Sequence, residues 1–260
     1  MTDNRPIALI TGAGKRIGKA IALTLANHGW DIAIHYNQSK NEASSVQSLI
    51  QNMGRRAITL SCDLGDMAQV TTLCQEVKTH LGHPMLLVNN ASLFEYDNPD
   101  HIDMALFDWH MAINVKAALI LSESFFHLQK EINRQGLIVN LLDQKLINPN
   151  PDYFSYTLSK AALSAAIPLM AQHYAPHVRV MGIAPGIILP SGPQLTSHFE
   201  QIQQLNPLQK AATPEDIAKT VLYLTEVNSL TGSTIFVDAG QHLVTSTRDV
   251  MFIDPSQISH

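Results

Sequence analysis

The chain has 260 residues, 45% of them hydrophobic and 15% charged, with a formal net charge of -5. That length and apolar content suffice for a core without disulfide or metal staples. The negative balance offers no basic surface for nucleic acid or an acidic membrane, and the two cysteines, Cys62 and Cys74, read as reduced, packed thiols of a cytoplasmic protein.

The opening stretch MTDNRPIALITG holds an apolar run too short for a signal peptide or a membrane span, and residues 6–11 read as a buried strand. A helix follows over 16–29, ending at Gly29. DIAIHY (31–36) is a second strand, with a polar helix near 40–53. Residues 56–63 form a third strand and 66–81 a helix, and PMLLVNNAS (84–92) is a fourth strand. Residues 103–133 are helical in one or two pieces, GLIVNLLD (136–143) is a fifth strand, and 153–175 a helix. Pro168 within it predicts a kink, since a mid-helix proline costs about 3 kcal/mol. VRVMGIAPG (178–186) and STIFVDAG (233–240) complete the strands. The segment 187–212, with Pro190, Gly192, Pro193 and Pro207, is the longest irregular stretch and a candidate substrate lid. The strands are continuous apolar runs, as in a parallel sheet covered on both faces. Their alternation with helices predicts an α/β protein: a single-domain Rossmann fold over 1–245, doubly wound, with a seven-stranded parallel sheet flanked by helices. Residues 246–260 form a tail that either covers a neighbouring subunit's pocket or is disordered.

TGAGKRIG (11–18) places Gly12 directly after the first strand and Gly18 at the opening of a helix. Without a Cβ, backbone N–H groups can approach a pyrophosphate at that helix N-terminus. Arg16 stands where such a turn usually has another glycine. At the end of the second strand, HYNQSK (35–40) has no acid to bind a ribose 2′-hydroxyl, which selects NADP(H) over NAD. Lys15 and Ser39 are candidates for the 2′-phosphate; the plainer reading of Lys15 is a solvated loop residue. Asp63 ends the third strand, placed either to accept from an adenine amino group or to cap the next helix. NNAS (89–92) puts Asn90, Ala91 and Ser92 under the cofactor ribose. Ile17, His35, Tyr36, Asn37, Leu64, Pro185 and Gly186 complete the expected cofactor contacts.

In YTLSK, Tyr156 and Lys160 are four apart and share a helical face. A neighbouring ammonium pulls a tyrosine pKa down from its usual value near 10, making a proton-transfer unit. Asp143 ends the fifth strand. An ionised carboxylate there cannot donate to a developing oxyanion and suits substrate N–H, amino or C=N groups. It also opposes phenolate formation and keeps Tyr156 protonated as an acid. NLLDQKL contains no serine that could replace it.

Gly12, Gly18, NNAS, Asn114, Tyr156, Lys160 and APG (184–186) follow one another along nearly the whole chain. The sequence thereby resembles the short-chain dehydrogenase/reductase family of single-domain Rossmann enzymes. The resemblance implies Tyr156 as proton donor, Lys160 as the group that lowers its pKa and holds the nicotinamide ribose, and Asn114 as holder of a water; Asn114 otherwise reads as a helix-interior residue at a local bend. Most of the family has serine at position 143. Arg16, Asp143 and NNASLF together resemble the pteridine reductase and dihydromonapterin reductase branch, which uses NADPH to reduce dihydropterins and sometimes dihydrofolate. Carried over, Arg16, Ser92, Phe94, Asp143 and Tyr156 line the pterin site. Phe94 either stacks on a flat substrate or simply packs in the core. Some of that branch carries arginine at about Gln38.

The expectation is an NADPH-dependent reductase of dihydrobiopterin, dihydromonapterin or dihydrofolate. The alternatives are a reductase of a ketone or 3-oxoacyl thioester, and a non-catalytic NADP-binding regulator. The resemblance implies a homotetramer. No metal site is expected: His173 and His177 are four apart, but Pro176 intervenes.

Overall fold

A computed structural model describes residues 5–190 and 195–254. Gly192 and Pro193 of the expected lid, and 255–260 of the tail, lie outside the described residues. The strands are β1 (Ile7–Ile10), β2 (Asp31–Tyr36), β3 (Ala57–Ser61), β4 (Leu86–Asn89), β5 (Gly136–Leu141), β6 (Val178–Pro185) and β7 (Thr234–Val237). They form one parallel sheet in the order β3-β2-β1-β4-β5-β6-β7. The helices are α1 (Arg16–Asn27), α2 (Lys40–Asn52), α3 (Met67–His80), α4 (Met104–His110), α5 (Ala117–Ile132), α6 (Phe154–Tyr174), α7 (Thr196–Ile202) and α8 (Pro214–Glu226).

The strands are mostly apolar because both faces are covered. In β1, Ile7 and Leu9 join a core with Leu73, Phe125 and Leu163, from α3, α5 and α6. Ala8 and Ile10 point the other way, into a core with Ile21, Val46 and Ile217, from α1, α2 and α8. Strand order reverses between β1 and β4, so the carboxyl ends of these two strands border an open crevice.

Three features bear on the sequence reading. First, α8 was not anticipated, although its start is encoded: Thr213 and Asp216 form a capping box and Pro214 opens the first turn. The expected irregular 187–212 also contains α7. Second, 103–133 is α4 and α5 joined by a π-helical turn, Met111–Lys116, which holds Asn114. Its apolar length passes for a membrane span, yet Ala117, Leu121, Phe125 and Leu128 are buried against the sheet. Third, α6 runs through Pro168 without a break in the helix, with the proline on its exposed side.

At Gly18, an added Cβ would lie 2.3 Å from the Gly12 carbonyl oxygen and 2.7 Å from Asn90 Nδ2. Both neighbours are fixed, the first by backbone and the second by its bond to Thr11 O at 2.7 Å. Gly18→Ala should therefore destabilise the fold by about 3 kcal/mol, the upper end for overpacking; a denaturant unfolding curve unchanged from wild type would contradict this reading.

Candidate active site

The tips of β1 and β4 are stitched together. Thr11 Oγ1 accepts from the backbone N–H of Asn90 and of Ala91, both at 2.9 Å, and Asn90 Nδ2 donates to Thr11 O. Gly12 then turns with φ +64°. Its N–H donates to His35 Nδ1 at 3.0 Å, and His35 Nε2 donates to Cys62 O at 2.9 Å. Burial holds the His35 pKa below its usual value, so the ring is neutral, with its proton on Nε2. His35 was expected to contact the cofactor; the structure instead places it beneath the glycine turn, with both ring nitrogens engaged. The Leu64 side chain is buried in the core, so any contact it makes with the cofactor would run through its backbone.

Gly14 packs closely on the start of α2, where an added Cβ would come within 3.3 Å of Ser39 Oγ. Lys15 Nζ pairs with Glu42 at 2.7 Å, both side chains about half exposed. Lys15, Ser39 and exposed Asn37 thus gather where β2 meets the turn, beside half-buried Tyr36. Asp63 is exposed at the tip of β3, and its Oδ1 accepts from Gly65 N–H at 2.8 Å. The helix cap is Asp66, which accepts from Ala68 and Gln69 N–H.

Arg16, the first residue of α1, has φ +49°. An arginine in this left-handed region is strained by about 1–2 kcal/mol. The side chain lines a cavity of about 450 Å³, and its Nη1 donates to Pro190 O at 3.3 Å. Ile17, Asn90, Ser92, Pro185 and Gly186 line the same cavity, and Phe94, Asp143, Tyr156 and Lys160 complete the expected set. Phe94 is not a core residue. It is 38% exposed, stacked on Tyr153 at 4.1 Å and set edge-on to Tyr156 at 4.7 Å.

Within the cavity Tyr156 Oη donates to Asp143 Oδ2 at 2.9 Å, and Asp143 Oδ1 accepts from Lys145 N–H at 2.9 Å. Burial holds Tyr156 well above a usual tyrosine, and the adjacent Asp143 adds to this. Desolvation raises Asp143 against its hydrogen bonds. Lys160 Nζ donates to Leu141 O at 2.8 Å and lies 5.6 Å from the Tyr156 ring centre. Burial pushes its pKa down to about 8. The expected lowering of the Tyr156 pKa by Lys160 is thus reversed. A hydrogen bond to a charged acceptor is worth about 1.5–3 kcal/mol and favours the protonated phenol, while the ammonium is turned to a backbone carbonyl.

Asn114 is also corrected. Its Oδ1 accepts from Leu93 N–H at 2.8 Å and from Ser92 Oγ at 3.2 Å, and its Nδ2 donates to Leu93 O and Ser159 Oγ, both at 3.0 Å. The side chain is 2% exposed and pins the Ser92–Leu93 loop to α6 instead of reaching the cavity.

The sequence reading missed one wall. Residues 246–254, expected on a neighbouring subunit or disordered, fold back on this chain, and Ser246, Arg248, Asp249 and Met251 line the cavity. Gln144, Lys145 and Gln241 join them. A signal was present: ionic residues Arg248 and Asp249 sit beside the apolar run VMFI, a pattern that covers a surface better than it solvates a tail. Among the described residues, no three His, Cys, Asp or Glu side chains converge as a metal site.

A family model described as enoyl-(acyl carrier protein) reductase matches residues 12–242. FolM alternative dihydrofolate reductase 1 from Brucella canis, crystallised with NADP, superposes with a TM-score of 0.89 at 42% sequence identity, covering 94% of this chain and 96% of that one. The FolM protein of Brucella suis, also in complex with NADP, gives 0.86 at 41% identity, with coverage of 94% and 98%. The 7alpha-hydroxysteroid dehydrogenase of Escherichia coli (strain K12) is 33% identical over 227 residues, 84% of this chain and 86% of that protein.

The raised Tyr156 pKa has a sign that titration can check. The folded state holds this proton more tightly than the unfolded chain, so the contribution to stability is present below about pH 10 and lost as pH rises through the higher folded value. The ultraviolet phenolate titrations of wild type and Tyr156→Phe should coincide up to about pH 10; a wild-type step at neutral pH, absent from the variant, would refute it.

Proposed function

We propose that this chain, which belongs to the short-chain dehydrogenase/reductase family, is an NADPH-dependent reductase of a dihydropterin-type substrate. The observation that carries the reading is the Asp143 carboxyl bonded to the Tyr156 hydroxyl, in one cavity with Arg16 and Phe94. The names of the two Brucella structures support it.

The residues present fit NADPH. Gly12 turns the backbone with φ +64° just before α1, whose N-terminus would take a pyrophosphate. Lys15, Ser39 and Lys40 would hold the 2′-phosphate, and Lys160 the nicotinamide ribose. Lys15 exchanges its exposed partner Glu42 at little cost, because such surface pairs contribute about 1 kcal/mol or less. When bound, NADPH supplies the hydride that reduces a ring C=N bond. Phe94 offers a flat aromatic wall for the heterocycle, and Arg16 pairs with its electron-rich edge or with phosphate. Tyr156 Oη donates its proton to the ring nitrogen. The Asp143 carboxylate, within hydrogen-bond reach, takes up a proton from solvent at the cavity mouth and passes it to the Tyr156 phenolate, which restores both groups. A carboxyl beside the donor disfavours the developing negative oxygen of a ketone substrate, which selects nitrogen heterocycles. We further propose a cytoplasmic homotetramer, on the family resemblance; sedimentation analysis checks the assembly.

NADPH oxidation should proceed with dihydrobiopterin, dihydromonapterin or dihydrofolate. Tyr156→Phe should lower kcat by about 10²–10⁴-fold, the usual worth of a general acid. Turnover confined to ketones or to oxoacyl and enoyl thioesters would sink the pterin assignment. A Tyr156→Phe variant matching wild type throughout would favour the non-catalytic regulator.

NADPH should be preferred to NADH, with Lys15→Ala raising the KM for NADPH by about tenfold, one charged contact's worth, and leaving that for NADH unchanged. Equal loss with both cofactors would show that Lys15 does not read the 2′-phosphate.

A further inference from the structure

The strap formed by residues 244–254 is held largely by the connection from Asp143 to Tyr156, with further contacts from His198 to Ile253 O at 2.9 Å and from Tyr96 to Phe252. Ser246 N–H donates to Asn148 Oδ1, and Asn148 Nδ2 to Val244 O. Arg248 Nε and Asp249 N–H both donate to Asp152 Oδ2, at 2.8 and 2.7 Å. Tyr153 Oη donates to Met251 Sδ, and Phe252 packs beside Tyr153 and Tyr96. The innermost contact is ionic. Lys145 Nζ, in a side chain only 4% exposed, donates to Asp249 Oδ2 at 3.1 Å and to Asp152 O at 2.7 Å. The backbone N–H of the same Lys145 donates to Asp143 Oδ1. A continuous line of contacts therefore runs from Asp249 through Lys145 and Asp143 to the Tyr156 hydroxyl.

A buried ion pair is a weak source of stability, because desolvation offsets its attraction. Its placement here has another use. We propose that Asp249, reaching in from the C-terminal strap, is a positioning residue for the proton-donating pair: with Lys145 it fixes the Asp143 carboxyl and biases its protonation, so that proton delivery depends on the strap being closed. The proposal rests on Tyr156 being the proton donor.

The groups that face this carboxyl come from every element around it. Tyr156 and Lys160 approach from α6, Lys145 from its own turn and Asp249 from the strap, and Arg16 lines the same cavity. Tyr156 also meets the His110 ring of α4, at 6.3 Å, which burial keeps neutral. The Asp249 charge raises both Asp143 and Tyr156, whereas the Lys145 charge lowers Asp143. Removing either partner thus acts in opposite directions. Asp249→Asn leaves the ammonium unopposed and lowers the Asp143 pKa; Lys145→Met leaves the carboxylate unopposed and raises it.

The test is carbon-13 NMR titration of the aspartate carboxyls in the full chain with NADPH bound, with Asp143 assigned by its loss in Asp143→Asn. We expect Asp249→Asn to shift Asp143 down, and Lys145→Met to shift it up, each by about half a unit or more. Asp249→Glu should restore the wild-type titration, and truncation after Val244 should reproduce Asp249→Asn if that substitution disturbs folding. In turnover, Asp249→Asn should lower kcat about tenfold or more through misplacement of the donor, while the Kd of NADPH is unchanged. Shifts in the same direction, or none, would overturn the proposal. The titration needs no turnover, so if wild type reduced no dihydropterin the functional reading would fail while the NMR arm still decided this one.

Discussion

The Tyr156 hydroxyl and the Asp143 carboxyl, 2.9 Å apart, form the contact on which the site depends. Burial raises both groups, and the carboxylate adds to the burial that already keeps the proton on Oη. Asp143 in turn is desolvated at the cavity wall and anchored by one backbone N–H. The pair keeps a proton in the cavity, where the ring nitrogen of the proposed substrate would take it up.

The fold positions this pair through two rigid joints. One is at the β1–β4 reversal, where Thr11, Asn90 and Gly12 bind one another and the neutral His35 props the turn from below. The other is the π-helical turn, where Asn114 ties the Ser92–Leu93 loop to α6. The first joint keeps the glycine turn in place. The second holds the loop that carries Phe94 against the helix that carries Tyr156. Neither joint donates an atom to the cavity that the reaction would consume. Both explain how polar side chains expected at the site serve it from behind.

Arg16 shows the cost of this arrangement. It occupies a left-handed backbone position that glycine would fill without strain, and its guanidinium donates to the Pro190 carbonyl. The strain is tolerated because β1, β4 and α1 over-determine the turn. A cation is thereby placed where both the pyrophosphate and the heterocycle of the proposed reaction would lie.

The sequence by itself determined the parallel sheet and its strands in chain order, because both-sided burial writes largely apolar runs that need no tertiary information to read. It also determined Gly12, Gly18, Asp143, Tyr156 and Lys160, whose chemistry is tied to a strand tip or to one helical turn. Tertiary structure alone decided the roles of His35, Leu64 and Asn114, since a residue's distance along the chain does not say which way its side chain faces at a strand end or a helix bulge. It decided the direction of the Tyr156 shift as well, because burial of the hydroxyl sets that direction and the direct bond to Asp143 adds to it. The strap was the least legible part: Asp249 meets Lys145 across 104 residues of chain, and long-range ion pairs leave no periodic trace in the sequence.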